Sequence, residues 1–183
     1  MSPEHDDEEL VRRAQRGQHD AFHALIRRHQ ARAIAFGTRY LGHPSHARDA
    51  AQEAFVDLYL ALPRYQSKDR FLSYWHRILL NRCHMAARST RSREAMHSSL
   101  VTLKPPPVAP PEDALIARQD QEAVQRALES LSEKLRVVVA LRFGAGLALQ
   151  DIAETLELPL GTVKSRLFSG LAELRATLKE ATP

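Results

Sequence analysis

Apolar residues along this chain recur at three- and four-residue steps, and no segment shows sustained alternation, so the pattern predicts helices throughout and an all-α fold. Phe22, Leu25, Ile26, Ala33, Phe36 and Tyr40 mark a first helix, with Asp20 as its expected N-cap and Gly42 and Pro44 closing it. Ser45 is placed to cap a second, whose inner stripe is Ala47, Ala50, Ala51, Ala54, Phe55, Leu58 and Leu62, stopped by Pro63. A third is expected behind Asp69, with Phe71, Leu72, Trp75, Ile78, Leu79 and Met85 on one side. Further on, Leu115, Val124, Ala127 and Leu131 mark another helix, and Ser132 to Phe143 the next. After Gly144 and Gly146 the pattern predicts two short helices.

Between these halves the texture changes. Pro105, Pro106, Pro107, Pro110 and Pro111 crowd together, a composition that favours extended polyproline geometry over helix. This predicts two small helical domains, residues 1–97 and 114–183, joined by a Pro-rich linker over 98–113. At about 3.1 Å per residue the linker would reach on the order of 50 Å, about one and a half turns of DNA duplex at roughly 34 Å per turn.

Charge sharpens the contrast. Of the 183 residues, 44% are hydrophobic and 26% charged, ordinary for a globular protein, and the formal net charge is +4. Residues 1–104 hold 17 Lys/Arg against 11 Asp/Glu, a net of +6, whereas 105–183 hold 9 against 11, a net of −2. From Arg64 to Arg93, Arg64, Lys68, Arg70, Arg77, Arg82, Arg88, Arg91 and Arg93 face only Asp69. Tyr65, Phe71, Tyr74 and Trp75 are interleaved with these cations. Cations release counterions from phosphates, and aromatic faces stack on unpaired bases. The segment therefore suits melted or single-stranded nucleic acid, although Phe71 and Trp75 are equally placed to serve as core.

Two other constellations stand out. On the second helix, Asp49, Gln52, Glu53 and Asp57 share a side opposite the alanine stripe. The pattern alone leaves open whether this is a solvated face or a surface for a basic protein. Near the C-terminus, Ile152, Ala153 and Leu156 form the inner face of a short helix and Glu157-Leu158-Pro159-Leu160 a tight turn. Gly161-Thr162-Val163-Lys164-Ser165-Arg166-Leu167 then opens a second helix. This is the texture of a helix-turn-helix, with Thr162, Lys164, Ser165 and Arg166 in the turns that reach base edges in a major groove.

Chemistry beyond binding finds little support. The chain carries no phosphate-binding loop with Lys-Ser/Thr, no His-Glu-x-x-His and no Gly-x-Ser-x-Gly, so no catalytic site, cofactor or metal is expected. His19 and His23 lie four apart but make an incomplete metal site. The single cysteine, Cys83, excludes an internal disulfide framework and suits a reducing cytoplasm. The acidic N-terminus does not read as a signal peptide, and no run reaches the roughly 20 apolar residues of a membrane span.

The motifs together resemble the extracytoplasmic-function (ECF) sigma factors of the bacterial sigma-70 family. Asp49-Ala50-Ala51-Gln52-Glu53-Ala54-Phe55 resembles their second-region motif. Ala61-Leu62-Pro63-Arg64-Tyr65, Phe71, Arg77-Ile78 and Asn81 resemble the segment that follows it. Asp151-Ile152-Ala153-Glu154 with Thr162-Val163-Lys164-Ser165-Arg166-Leu167 resembles the fourth-region helix-turn-helix. The resemblance implies a non-enzymatic transcription initiation factor. Asp49, Gln52, Glu53, Phe55 and Asp57 would grip core RNA polymerase through the clamp helices of its largest subunit, with the flap as a further contact. Arg64, Tyr65, Gln66, Ser67, Lys68, Phe71, Tyr74, Trp75, Arg77, Asn81 and Arg82 would melt and read the minus-10 element. Thr162, Lys164, Ser165, Arg166 and Phe168 would read the minus-35 element as duplex. An anti-sigma factor is the further implied partner, beside promoter DNA. The chain departs from the family pattern at His46, where an aspartate is usual, and at Tyr74-Trp75, where the tryptophan comes one residue late and the inward ring stays open. It departs again at Ala148, Glu157 and Ser169-Gly170. A stand-alone helix-turn-helix regulator fits less well, because the C-terminal half is slightly acidic. A decoy that holds polymerase without opening promoters is the third alternative.

Overall fold

The computed structural model describes residues 3–66, 70–97 and 112–180. These form eight α-helices: α1 (Pro3–Gln15), α2 (His19–Leu41), α3 (Pro44–Ala61), α4 (Phe71–His97), α5 (Glu112–Ser130), α6 (Glu133–Ala140), α7 (Leu149–Leu156) and α8 (Leu160–Glu180). A 3₁₀ turn, Leu62–Arg64, follows α3, and a wide π turn, Leu141–Ala145, follows α6. No strand occurs among the described residues. The all-α expectation holds. Most of the expected linker and its prolines, 98–111, lies outside the described residues, and helix already begins at Glu112.

The N-terminal unit is built on the alanine stripe. Ala47, Ala50, Ala51 and Ala54 are all buried, which lets α3 lie close against α2. At the tightest point a Cβ on Gly37 would sit 2.9 Å from the Ala47 Cβ. α4 closes the unit, its Trp75 fully buried and stacked on Phe55 with ring centroids 4.4 Å apart. Pro44 occupies the first turn of α3, where its missing N–H costs nothing, so the helix begins one residue before Ser45, with His43 at the cap position. Likewise Gln18, not Asp20, precedes α2. The expected Asp69 cap lies outside the described residues.

Helix α1 was not anticipated from the acidic N-terminal sequence, and its carboxylates explain it. Asp7 is buried, accepts a hydrogen bond from Arg28 at 2.6 Å and lies 3.0 Å from His29 Nε2. Glu8 accepts from the Tyr65 hydroxyl at 2.9 Å and from the backbone N–H of Phe71 at 3.2 Å, which caps α4. Gln15 donates to the carbonyls of Leu62 (2.9 Å) and Tyr65 (2.7 Å). α1 thereby fixes the chain leading into α4.

In the C-terminal unit α8 packs on α5, α6 and α7. It spans 21 residues and is not the short helix expected. Gly170 sits where α8 crosses α6, and a Cβ there would meet Val139 Cγ2 at 2.9 Å. This departure from the family pattern is thus a point of close approach. Ala148 offers no side-chain cap, but Asp151 accepts the Ala148 N–H at 3.2 Å, giving α7 half of a reciprocal cap. Glu157 ends α7 in the left-handed region (φ 54°), the only non-glycine residue with positive φ among those described.

The two units do not stand apart. Phe36 and Tyr40 of α2 share one core with Leu141, Ala145 and Leu147 beyond α6. The π turn lies against α2, where a Cβ on Gly144 would sit 2.7 Å from the Phe36 Cα. Tyr40 donates to Glu133 at 2.9 Å, with the Arg136 guanidinium 5.6 Å from its ring centroid. Burial and the Glu133 carboxylate push the Tyr40 hydroxyl pKa well up. At the other end α7 packs on α4.

Candidate nucleic-acid interface

Three surfaces carry the residues singled out from the sequence. The first is on α4 and the turn before it. A cleft of about 670 Å³ is lined by Arg64, Tyr65, Gln66, Arg70, Ser73, Tyr74 and Arg77 from the N-terminal unit, and by Glu154 and Glu157 from the C-terminal unit. Tyr65 and Tyr74 lie 4.7 Å apart by ring centroids, and both are half-buried, which leaves part of each ring accessible. Asn81 is exposed. Ser67 and Lys68 lie outside the described residues.

Several expected DNA contacts are placed otherwise. Phe71 and Trp75 are 3% and 0% exposed, so their rings belong to the core and not to an open stacking platform. Helical periodicity decides this: 71, 75 and 79 share the buried face of α4, while 74 and 77 turn outward. That settles the choice between Tyr74 and Trp75. Arg82 does not reach the cleft. It makes a two-pronged ion pair with Asp57 and donates to Glu53 at 3.2 Å. The guanidinium holds the Asp57 carboxyl below the usual carboxylate range.

The second surface is on α3. Asp49, Gln52 and Glu53 are exposed, but Phe55 is buried against Trp75, and Asp57 is engaged by Arg82. The open acidic face is therefore narrower than expected. Beside it runs an apolar groove of about 470 Å³ between α2 and α3, lined by Phe22, Ile26, Ile34, Ala51, Gln52, Phe55, Val56 and Tyr59, among others. Val56, Tyr59 and Leu60 are 55%, 47% and 69% exposed. The sequence reading missed this apolar surface. Its signal was present, since Val56, Tyr59 and Leu60 form a second apolar set at helical spacing off the alanine stripe.

The third surface is the N-terminal half of α8. Leu158 N–H bonds the Ala153 carbonyl at 2.9 Å, closing the turn after the left-handed Glu157. Val163 is fully buried and Leu167 partly so, which fixes the roll of the helix. Lys164 and Ser165 are exposed, Thr162 and Arg166 half-buried, and Phe168 is 78% exposed. The Ser165 hydroxyl donates to the Thr162 carbonyl at 3.0 Å. The residues selected for duplex reading thus line one accessible stretch of α8.

Across the first surface the two units meet through charge. Arg77 donates to the Glu154 carbonyl at 3.0 Å and pairs with the Glu157 carboxylate at 2.9 Å. Ser73 donates to Glu154 at 3.4 Å, and Arg70 lies 3.8 Å from the same carboxylate. The Arg77 and Glu157 side chains remain 46% and 73% exposed, so such a pair contributes at most about 1 kcal/mol. Below this seam His76 is 2% exposed. Its Nδ1–H donates to the Leu72 carbonyl at 2.8 Å, and its Nε2 finds no partner among the described residues. Burial lowers its pKa to about 4. Burial likewise pushes the Cys83 thiol up to about 12, an inert core cysteine. No cluster of three or more metal-ligating side chains occurs among the described residues.

Residues 25–93 match the sigma-70 region 2 family and residues 127–176 the sigma-70 region 4 family. The chain is 31% identical over 178 residues to the RNA polymerase sigma-H factor of Pseudomonas aeruginosa, covering 92% of this chain and 91% of that protein. It is also 31% identical over 179 residues to the ECF RNA polymerase sigma-E factor of Escherichia coli K12, covering 92% of both. The chain belongs to the ECF sigma factors. It is accordingly a non-enzymatic factor that directs RNA polymerase to promoters. Two solved structures share its fold. One is CnrH in complex with the cytosolic domain of CnrY (TM-score 0.74, 24% identity, 97% of this chain and 99% of that one). The other is the sigma factor RpoE in complex with the anti-sigma factor NepR from Bartonella quintana (TM-score 0.67, 22% identity, 86% and 96%). In this sigma factor the region 2 match runs from within α2 into α4, and the region 4 match from the end of α5 into α8. No helix among the described residues is long and apolar enough to cross a membrane.

Proposed function

We propose a division of labour among the three surfaces. Asp49, Gln52 and Glu53, with the apolar groove beside them, bind the clamp helices of core polymerase. Phe55 and Asp57 serve this face from within, Phe55 by packing and Asp57 by holding Arg82. The cleft of Arg64, Tyr65, Gln66, Arg70, Tyr74 and Arg77, with Asn81 beyond it, reads the melted minus-10 strand. Phe71 and Trp75 support it from the core. Thr162, Lys164, Ser165, Arg166 and Phe168 read the minus-35 duplex.

The observation that carries this reading is the pairing of two unlike surfaces on one chain. One is a recessed cleft mixing cations with half-buried tyrosines, suited to unstacked bases. The other is an open helix N-terminus with polar and basic side chains, suited to base edges in a groove. The two solved relatives are bound to CnrY and to an anti-sigma factor, and we place an anti-sigma protein among the partners of this chain, acting in the cytoplasm.

Run-off transcription with purified core polymerase and a pool of genomic fragments tests the whole. Specific transcripts requiring both protein and core are expected. The paired substitution Asp49→Ala and Glu53→Ala is expected to abolish core binding while the circular dichroism spectrum stays unchanged. Unaltered core affinity in the pair would remove the assignment of that face. Tight core binding without any transcript would make the protein a decoy for polymerase.

A further inference from the structure

Tyr65 is held at each of its polar atoms. Its N–H donates to the Leu62 carbonyl at 3.0 Å. Its carbonyl accepts from the Gln15 side-chain amide at 2.7 Å, and its hydroxyl donates to Glu8 Oε1 at 2.9 Å. Its ring meets those of Phe71 and Tyr74, with centroids 6.2 and 4.7 Å away. The same Glu8 oxygen also accepts the backbone N–H of Phe71 at 3.2 Å. One carboxylate oxygen therefore joins the chain at 65 to the chain at 71, on either side of the cleft residues Gln66 and Arg70. Gln15 adds a second tie, its amide donating to the Leu62 carbonyl at 2.9 Å as well. Both side chains belong to α1, which precedes the region 2 match beginning at residue 25. Helix α1 is anchored independently of the cleft, because Val11 is fully buried and Asp7 bonds Arg28 and His29 of α2. Glu8 is 3% exposed, so its carboxylate is not placed to touch a DNA strand.

We propose that Glu8 and Gln15 are positioning residues for minus-10 reading: they preset Tyr65 and the start of α4, and through them set how well the cleft tells one strand sequence from another. The proposal rests on the assignment of that cleft to the minus-10 strand. A ring that is free to turn loses rotamer freedom each time a base stacks on it, and it adapts to many bases. A ring fixed at its hydroxyl, its carbonyl and its neighbours has lost that freedom during folding. It favours the base that fits the fixed geometry and cannot follow one that does not. Sequence discrimination then depends on a helix that acts through Tyr65. The acidic residues of α3 and the reading residues of α8 take no part in these bonds, so core binding and minus-35 reading are independent of them.

The test uses the full chain bound to core polymerase and a fork DNA from a promoter recovered in the run-off pool. The fork is duplex through the minus-35 element and single-stranded across the minus-10 element. Fluorescence anisotropy gives the ratio of affinities for the native and a scrambled minus-10 strand. Glu8→Ala is expected to lower this ratio about tenfold, and Gln15→Met about threefold. Core affinity and binding to a duplex carrying only the minus-35 element should not change. Glu8→Gln keeps an acceptor oxygen and is expected to restore the ratio to near wild type. A Glu8→Gln as poor as Glu8→Ala would trace the loss to the missing charge and overturn the positioning role. Tyr74→Leu, which alters the cleft without touching α1, is the reference and should lower the ratio about tenfold. If Tyr74→Leu lowers it while Glu8→Ala and Gln15→Met do not, the cleft assignment stands and the proposal falls. If Tyr74→Leu leaves the ratio unchanged, or wild type shows no preference, the cleft assignment fails and the proposal falls with it. Should Glu8→Ala lose helical content by circular dichroism, Gln15→Met alone decides. Gln15 is exposed, so its replacement leaves the core intact, and an unchanged ratio there rejects the idea.

Discussion

Helices α4 and α8 both carry side chains that we assign to DNA reading, and they present them in opposite ways. On α8 the reading face and the packing face are separate: Val163 and Leu167 go inward, while Lys164, Ser165 and Phe168 stay open. On α4 the two are interleaved. Phe71 and Trp75 are core, Tyr74 between them is half-buried, and Arg77 is engaged across a seam. Chemistry on α8 can therefore be changed without touching the fold, whereas chemistry on α4 cannot.

The sharpest way to break that comparison is Trp75→Ala. It removes a fully buried ring stacked on Phe55 and is expected to cost about 3–5 kcal/mol, read as a large fall in thermal melting temperature. Any loss of minus-10 binding in this variant would follow from loss of the fold. A melting temperature within a degree or two of wild type would mean that the ring is not core.

On the other side, Lys164→Ala or Arg166→Ala is expected to weaken minus-35 duplex binding by roughly 1–3 kcal/mol per lost base contact. The melting curve should not move. Equal loss on every duplex sequence would assign the side chain to phosphate instead of base edges.

The seam between the units supplies a pH test. His76 has its folded pKa lowered to about 4 from an ordinary 6.5. The unfolded chain therefore takes up this proton first. The stability contribution is complete above about pH 6.5 and is lost as pH falls toward 4. Between pH 7.5 and 5.5 the loss is expected to be about 1 kcal/mol, measurable by urea unfolding, and His76→Leu should flatten the slope. Burial raises the Asp151 carboxyl, which opposes this trend. An identical slope in His76→Leu would assign the pH dependence to other groups.

Smallest is Gly170→Ala. In an open helix position it would gain roughly 1 kcal/mol from propensity. Against Val139 Cγ2 at 2.9 Å the gain is offset, and no rise in melting temperature is expected. A clear rise would show that α6 and α8 can part at little cost.

The apolar stripes alone determined the helices, because each helix can bury only the face its period assembles. They placed α2, α3 and α6 and the start of α4 within a few residues, although α4 runs on past Met85 to His97, and they identified the helix-turn-helix by the inward pair Val163 and Leu167. Their ends were less legible: Pro44 rather than Ser45 opens α3, and Glu8 from a distant helix caps α4. Helix α1 was hidden because it is tied down by buried carboxylates, Asp7 and Glu8, and not by an apolar stripe alone. Composition also located the cations and rings between Arg64 and Arg93, but which of them reach solvent depended on the roll of α4 against α3. That roll put Trp75 inside, Tyr74 at the surface and Arg82 on Asp57. The closest approach of the two units was decided by tertiary structure alone. Gly144 reads in sequence as a helix break, Glu154 as part of the helix-turn-helix motif and Glu157 as part of its turn. Only packing brings the first against Phe36 and the other two onto Arg70 and Arg77, because contacts between segments so far apart in sequence leave no local period to read.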